Sequence, residues 1–321
     1  MNLWYSFKRL VSYVPGTVRL YQCLHKKPES QDVQRRSLQR GPFPKPDLAR
    51  LQDQYRQSLL AREKDTFVLY RIIGNDLVPR HRKGQSRDNL RFILENEPEF
   101  SGCEKRFVLN RIVDDQEEKA IISLLQEAGY PYLHIPFHCD EYRKKIWDTL
   151  GVPSEYALYT RRFGSLSAVE QSRILMRLCR HKNNYVMHNN GARNIALAEG
   201  RRLAKWILPF DGNCFITRQA WEDLLQTIQA APHIPYYIVP MARVTDNNLL
   251  LDPDFKPMAL EEPQVLFRRD AELSFNEEFY YGRRPKVELL WRLGVPGDWD
   301  NWKIEPWDLP EPQYAAQAGC F

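Results

Sequence analysis

From residue 66 onward, short apolar runs alternate with amphipathic stretches, and the hydrophobic period switches between them. Phe67-Val68-Leu69-Tyr70-Arg71-Ile72-Ile73 is a near-continuous apolar run closed by Gly74-Asn75-Asp76, the pattern of a buried strand. A basic loop from Pro79 to Arg87 follows, then a helix over Asn89–Glu97. Arg106 to Ile112 predicts a second strand running out onto Asp114-Asp115. Ala120, Ile121, Leu124, Leu125 and Ala128 then recur at helical spacing and stop at Gly129, predicting a helix over Glu117–Ala128 with a glycine past its end. Tyr132–Ile135 predicts a short third strand.

The pattern beyond this is less regular. Residues 138–165 read as an insertion or lid, and Ser167 with Glu170 has capping-box spacing at the head of a helix reaching Cys179. A helix starting near Gly191 carries Ala192, Ala196, Gly200 and Ala204 four residues apart, a ridge of small side chains that lets a helix lie close to a sheet. Lys205–Phe210 predicts a strand, Arg218–Ala230 a helix, and Tyr236–Val244 a further strand. This alternation predicts an α/β fold with a mostly parallel central sheet and helices on both faces. Ligands of such sheets sit beyond the carboxyl ends of the strands, where Asn75, Asp76, Asp114 and Asp115 fall.

Upstream, Leu48, Leu51, Tyr55 and Leu59 follow helical spacing behind Asp47, an amphipathic lead-in to the domain. Residues 25–46, polar, basic and rich in Gln and Pro, read as a linker. Residues 1–24 mix aromatic and aliphatic side chains with Lys8, Arg9 and Arg19 and lack a continuous apolar core and cleavage site, so no signal peptide is expected. Such a basic amphipathic segment suits peripheral contact with an anionic membrane surface; a terminal helix docked on the body, or an unstructured end, is the competing reading. The organisation expected is 1–46 segment and linker, 47–297 domain, and 298–321 irregular tail.

Composition adds exclusions. The net charge of +5 is small for 321 residues and much of it lies near the amino terminus, so no nucleic-acid surface is indicated. No run is long and apolar enough to span a bilayer. The six cysteines form no C-x-x-C pair, which argues against a zinc site and favours a reducing compartment. A cytoplasmic location follows, with the inner face of the membrane as the peripheral alternative.

Candidate chemistry centres on Asn189 to Asn213. Asp211-Gly212-Asn213 follows an apolar strand, and its two side-chain oxygens on one turn suit a hard divalent cation; a plain Asp-Gly turn is the bland alternative. Arg193 and Asn194 fall in the first turn of a helix, where free N–H groups, the dipole and a guanidinium suit a phosphate. The Arg80, His81, Arg82, Lys83 and Arg87 cluster is either a second phosphate contact or a solvated loop. Asp114 and Asp115 either meet a base or ribose or cap the following helix. Trp291, Trp299, Trp302 and Trp307 offer either a sugar-stacking platform or core packing.

In order along 66–297, these elements resemble the GT-A-type, family 2-like nucleotide-diphospho-sugar glycosyltransferases. Asn190-Gly191-Ala192-Arg193-Asn194 is similar to their G-x-x-x-A-R-N element, and Leu208 to Asn213 to their strand-borne D-x-D. Phe275 to Gly282 followed by Val287 to Gly294 is similar to their F-D-E and E-D-x-E-L-x-x-R-L stretches. The resemblance implies a Rossmann-like GT-A fold, Mg2+ or Mn2+ at Asp211 and Asn213, nucleoside contacts from Asn75, Asp76, Asp114 and Asp115, and phosphate contacts from Arg193 and Asn194. It implies a nucleotide-diphosphate sugar as donor and a glycan or other hydroxyl acceptor. Pro285-Lys286 stands where inverting members carry the Glu-Asp pair of the general base, and a lysine is no carboxylate base without a large pKa shift. Either Glu277, Glu278 or Glu288 takes that role, or the chemistry is retaining, or transfer has been lost. A non-catalytic nucleotide- or glycan-binding module is the alternative. A sugar-phosphate nucleotidyltransferase is a third, opposed by the missing Gly-rich basic loop after the first strand.

Overall fold

Strand β1 (Phe67–Ile73) lies at the centre of a six-stranded sheet and is buried along its whole length. The computed structural model describes residues 47–76, 81–148, 158, 160–279 and 285–295. The strands β1, β2 (Cys103–Asn110), β3 (Tyr132–Ile135), β4 (Trp206–Asp211), β5 (Tyr236–Met241) and β6 (Glu261–Arg268) stand in the order β3-β2-β1-β4-β6-β5. The first four are parallel; β6 runs antiparallel to both β4 and β5. The fold is therefore α/β with a mixed, mostly parallel, Rossmann-like sheet.

The helices are α1 (Leu48–Gln57), α2 (Gln85–Asn96), α3 (Asp115–Glu127), α4 (Cys139–Lys144), α5 (Arg161–Ser165), α6 (Ala168–Leu178), α7 (Arg180–Met187), α8 (Asn189–Leu203), α9 (Arg218–Ala230) and α10 (Val287–Arg292). Alternation along β1 sorts the core. Val68, Tyr70 and Ile72 face α8 and the leucines of α10, while Phe67, Leu69 and Ile73 face α2, α3 and α9 through Leu90, Ile121, Trp221 and their neighbours. Helices thus cover both faces, as parallel sheets require.

Most expected elements are present with shifted ends. Asp47 caps α1, and α6 opens on a complete Ser167/Glu170 capping box. Helix α2 starts at Gln85, so Arg87 belongs to a helix and not to the basic loop. Strand β2 stops at Asn110, and Asp114-Asp115 begin α3 instead of ending the strand. Helix α7 and strand β6 stand where no element was expected. The 138–165 stretch holds α4 and α5. The amino-terminal segment and linker, Arg80, Trp299, Trp302, Trp307 and the tail lie outside the described residues. No helix among the described residues is long and apolar enough to cross a membrane.

Two features mark the carboxyl edge of the sheet. The chain winds outward from β1 through β2 and β3, then returns to place β4 on the other side, a topological switch point between β1 and β4. In addition, β4 pairs with β6 only at Trp206↔Arg268 and Ile207↔Phe267. Beyond that no ladder pair joins the two strands, and Pro209, with no N–H to offer a ladder, falls just past the last pair.

Candidate functional site

The small-residue ridge of α8 holds over three of its four expected positions: Ala192, Ala196 and Gly200 are buried on the helix, whereas Ala204 is buried but extended, as the residue that caps its end. A Cβ at Gly200 would lie 2.7 Å from Ile207 and 3.1 Å from Val68. Close packing sets the helix axis hard against β1 and β4, and thereby aims its first turn at the carboxyl edge of the sheet.

That first turn is a docking frame. The Asn190 amide donates to the carbonyls of Asn276 and Pro285, both at 2.6 Å. One turn on, Asn194 donates to the Phe275 carbonyl and accepts from the Phe275 N–H, at 2.8 and 3.0 Å. The expected phosphate role of Asn194 thus meets a side chain already engaged in holding the 275–277 segment, and the same amide reaches Glu277 Oε1 at 2.9 Å.

Asp211, last residue of β4, receives three side chains from three directions. Arg193 of α8 donates to Oδ1 at 2.5 Å, Gln264 of β6 to Oδ2 at 2.9 Å, and Lys286 to Oδ2 at 3.4 Å. Gln264 lies on β6, the neighbour of β4, beyond their last ladder pair. Lys286 also meets Glu262 at 3.4 Å, so two carboxylates and two cations balance. Burial alone would raise the Asp211 carboxyl; the nearby charges of Arg193 and Lys286, with the Gln264 hydrogen bond, outweigh it and hold the group far below the usual carboxylate range. Gly212 lets this turn sit down on β1, because a Cβ there would lie 2.6 Å from the Ile72 carbonyl oxygen.

This donor set does not fit a divalent cation. Both Asp211 oxygens already accept N–H groups, two of them cationic, and Asn213 is exposed beside them. A hard ion seeks several free oxygens, and here it would sit next to a guanidinium and an ammonium. Among the described residues no cluster of three or more His, Cys, Asp or Glu side chains is arranged to hold a metal.

The remaining sequence candidates serve local structure. Asn75 bridges the Arg111 carbonyl and the Val113 N–H, at 2.7 Å each, and so ties the end of β1 to the end of β2. Asp76 accepts from the Gly84 and Ser86 N–H groups and the Ser86 hydroxyl, ordering the start of α2. Asp114 caps α3 and pairs with Lys83, while Asp115 is exposed in the first turn. The basic cluster is largely neutralised: Arg82 meets Asp88, Lys83 meets Asp114, and Arg87 meets Glu117. Glu288 is buried and held through both oxygens by Arg292, and Glu278 is exposed. Trp291 is buried in α10, a packing position.

Three residues at the site carried no advance signal. Gln264 lies on the unexpected strand β6. Arg111 has φ +49°, the one non-glycine in the left-handed region among the described residues, and its guanidinium lies 5.0 Å from the Tyr185 ring centre. His188, between α7 and α8, meets Glu277 Oε2 at 3.0 Å. A Cβ at Gly191 would lie 2.2 Å from its imidazole, so the glycine leaves the ring its place.

Comparison with protein-family models, curated proteins and solved structures finds no match to this chain.

Proposed function

We propose that the chain is a GT-A-like glycosyltransferase that binds a nucleotide-diphosphate sugar at the carboxyl edge between β1 and β4 and transfers the sugar to a glycan or other hydroxyl acceptor. One observation carries the reading. The Asn190–Asn194 turn, the Asp211-Gly212-Asn213 turn and the residues Phe275, Asn276, Pro285 and Lys286, far apart in sequence, lock together through side chains at the switch point of the sheet. Because the oxygens of Asp211 are engaged, the reading does not include Mg2+ or Mn2+ at Asp211 and Asn213. Positive potential for a diphosphate comes instead from Arg111, which has no carboxylate ion pair among the described residues, and from the amino terminus of α8.

A second reading, a binding module without transfer activity, is favoured by one specific feature. Lys286 is a buried ion-pair partner of Asp211 where a carboxylate base was expected, and Glu288 is consumed by Arg292.

The test is a panel of UDP-, GDP-, CMP- and dTDP-sugars read by thermal shift, with Mn2+ and with EDTA. A ligand at a hundred times its Kd adds about 2.7 kcal/mol of stability. The expected result is a shift from at least one nucleotide sugar, equal in Mn2+ and EDTA, with slow transfer or hydrolysis of the bound donor. Binding with no turnover toward any hydroxyl acceptor favours the module. No shift from any of them removes both readings.

A further inference from the structure

Four features meet at His188. Glu277 Oε2 lies 3.0 Å from its Nε2, and Glu277 Oε1 in turn accepts from Asn194 at 2.9 Å, so the carboxylate is oriented before it meets the ring. The Cδ2–Nε2–Cε1 edge of the imidazole rests on Gly191, where any Cβ would come within 2.2 Å of Cδ2 and Nε2 and 3.0 Å of Cε1. With Nε2–H donated to Glu277, Nδ1 is the basic nitrogen, and it lies on the ring edge turned away from that glycine seat. Finally, Asn110 at the end of β2 donates to the Met187 carbonyl at 2.9 Å, which pins the residue before His188 to the carboxyl edge of the sheet.

We infer that His188 is the proton acceptor of this site, with Glu277 and Asn194 as its positioning residues and Gly191 as the seat for its ring. The inference rests on the transferase reading and changes which residue does its acid–base work. In the step, the acceptor hydroxyl gives its proton to His188 Nδ1 while its oxygen bonds to the anomeric carbon of the donor. The bond from that carbon to the diphosphate oxygen breaks with its electron pair, and the nucleoside diphosphate departs. The histidine supplies the base that Lys286 and Glu288 do not.

The electrostatic surroundings suit a neutral ring. Burial presses the His188 pKa down; Glu277, from the segment after β6, raises it, while Arg111, after β2, and Lys145, after α4, lower it, and the net direction is below the ordinary 6.5. That direction favours the neutral imidazole, the form able to accept a proton.

The experiment has two parts. Imidazole 15N NMR of the full chain, titrated from pH 4 to 8, is expected to show His188 as the Nε2–H tautomer with a pKa below 6.5, falling further in Glu277→Gln. An Nδ1–H tautomer, or a pKa unmoved in Glu277→Gln, overturns the dyad. Turnover is then followed with whichever nucleotide sugar the panel shows to bind. His188→Gln is expected to lose kcat by about a hundredfold or more with KM little changed, as general-base loss commonly does. Glu277→Gln is expected to move the acid limb of the pH–rate profile downward in step with the NMR pKa, a shift that a structural role would not produce. Gly191→Ala, which unseats the ring, is expected to lower kcat in the wild type but not in the His188→Gln background. Donor binding with full turnover in His188→Gln overturns the inference and leaves the transferase standing. Absence of any binding nucleotide sugar overturns the transferase reading, and the transfer role of His188 with it.

Discussion

Arg193 on α8 and Asp211 at the end of β4 meet at 2.5 Å, and that ion pair joins the sheet to the helix that frames the site. Arg193 is almost wholly buried, while a third of the Asp211 side chain is exposed. Removing one partner of a fully buried pair costs about 3–5 kcal/mol, so the partial exposure here argues for about 2–3 kcal/mol in Asp211→Asn. The pH dependence follows from the depressed carboxyl. Its folded pKa lies below the ordinary 3.8, so the stabilisation is complete above about pH 4 and is lost as pH falls further toward the folded value. Urea unfolding of wild type and Asp211→Asn at pH 7 and pH 3 is expected to show a gap that narrows in acid. EDTA is expected to leave both curves unchanged.

Much of this frame was legible because local pattern and tertiary role agree. The run Phe67 to Ile73 is apolar at all but one position because the whole of this central strand is buried, and Ala192, Ala196 and Gly200 pack on the sheet as their spacing requires. Strand β6 was not legible. Its apolar residues are only Val265, Leu266 and Phe267, and Pro263 argues against a strand; in the structure that proline falls at a register irregularity, opposite the Val239–Met241 stretch of β5, where prolines are tolerated. The site was half legible for a related reason. Arg193, Asp211 and Glu277 carry obvious chemistry, but their partners Gln264, Lys286 and His188 are recruited by contacts between segments distant in sequence.

Beneath the sheet, Arg71 of β1 and Glu97 after α2 form a pair with no side-chain exposure, and Glu97 also accepts from the Ile216 N–H. Arg71 in turn donates from Nε to the Cys214 carbonyl, so the pair braces the loop that follows the Asp211 turn. Glu97→Leu strands the buried Arg71 guanidinium, takes one carboxylate from the buried Lys105, which keeps Glu99, and is expected to cost about 3–5 kcal/mol. The double variant Arg71→Met/Glu97→Leu removes the pair together and leaves Lys105 with Glu99; it is expected to be more stable than Glu97→Leu alone, and the double-mutant cycle to give a coupling of about 1–3 kcal/mol.

Gly200 and Gly212 both exclude a side chain, but against different neighbours. At Gly200 the added methyl meets the γ carbons of Ile207 and Val68 at 2.7 to 3.1 Å, both β-branched and fully buried, so the helix itself must give, while alanine regains about 1 kcal/mol of helix propensity. At Gly212 it meets the backbone of Ile72 and Ile73 at 2.6 to 3.2 Å, which cannot move without disturbing β1. Overpacking of a well-filled site costs about 1–3 kcal/mol. Gly212→Ala is therefore expected near the top of that range and Gly200→Ala lower, at about 1–2 kcal/mol after the gain in helix propensity, as read from denaturant midpoints at constant m-value.

Arg111 separates stability from binding. At φ +49° any L side chain is strained, a cost of about 1–3 kcal/mol that concentrates at functional positions. Its guanidinium stands over Tyr185, with Nη1 on Asn110 Oδ1 at 3.2 Å, at the edge where the diphosphate is proposed to lie. Arg111→Ala keeps the backbone strain and removes the cation, whereas Arg111→Gly removes both. Glycine gives back part of the gain through the greater freedom of its unfolded chain, so Arg111→Gly is expected to exceed Arg111→Ala in stability by about 1 kcal/mol. A charged hydrogen bond is worth about 1.5–3 kcal/mol, so both variants are expected to bind the nucleotide sugar some tenfold to a hundredfold more weakly, with a shallower salt dependence. Equal stability of the two variants would show that the left-handed backbone at 111 is unstrained. Undiminished affinity in both would move the diphosphate away from this corner of the site.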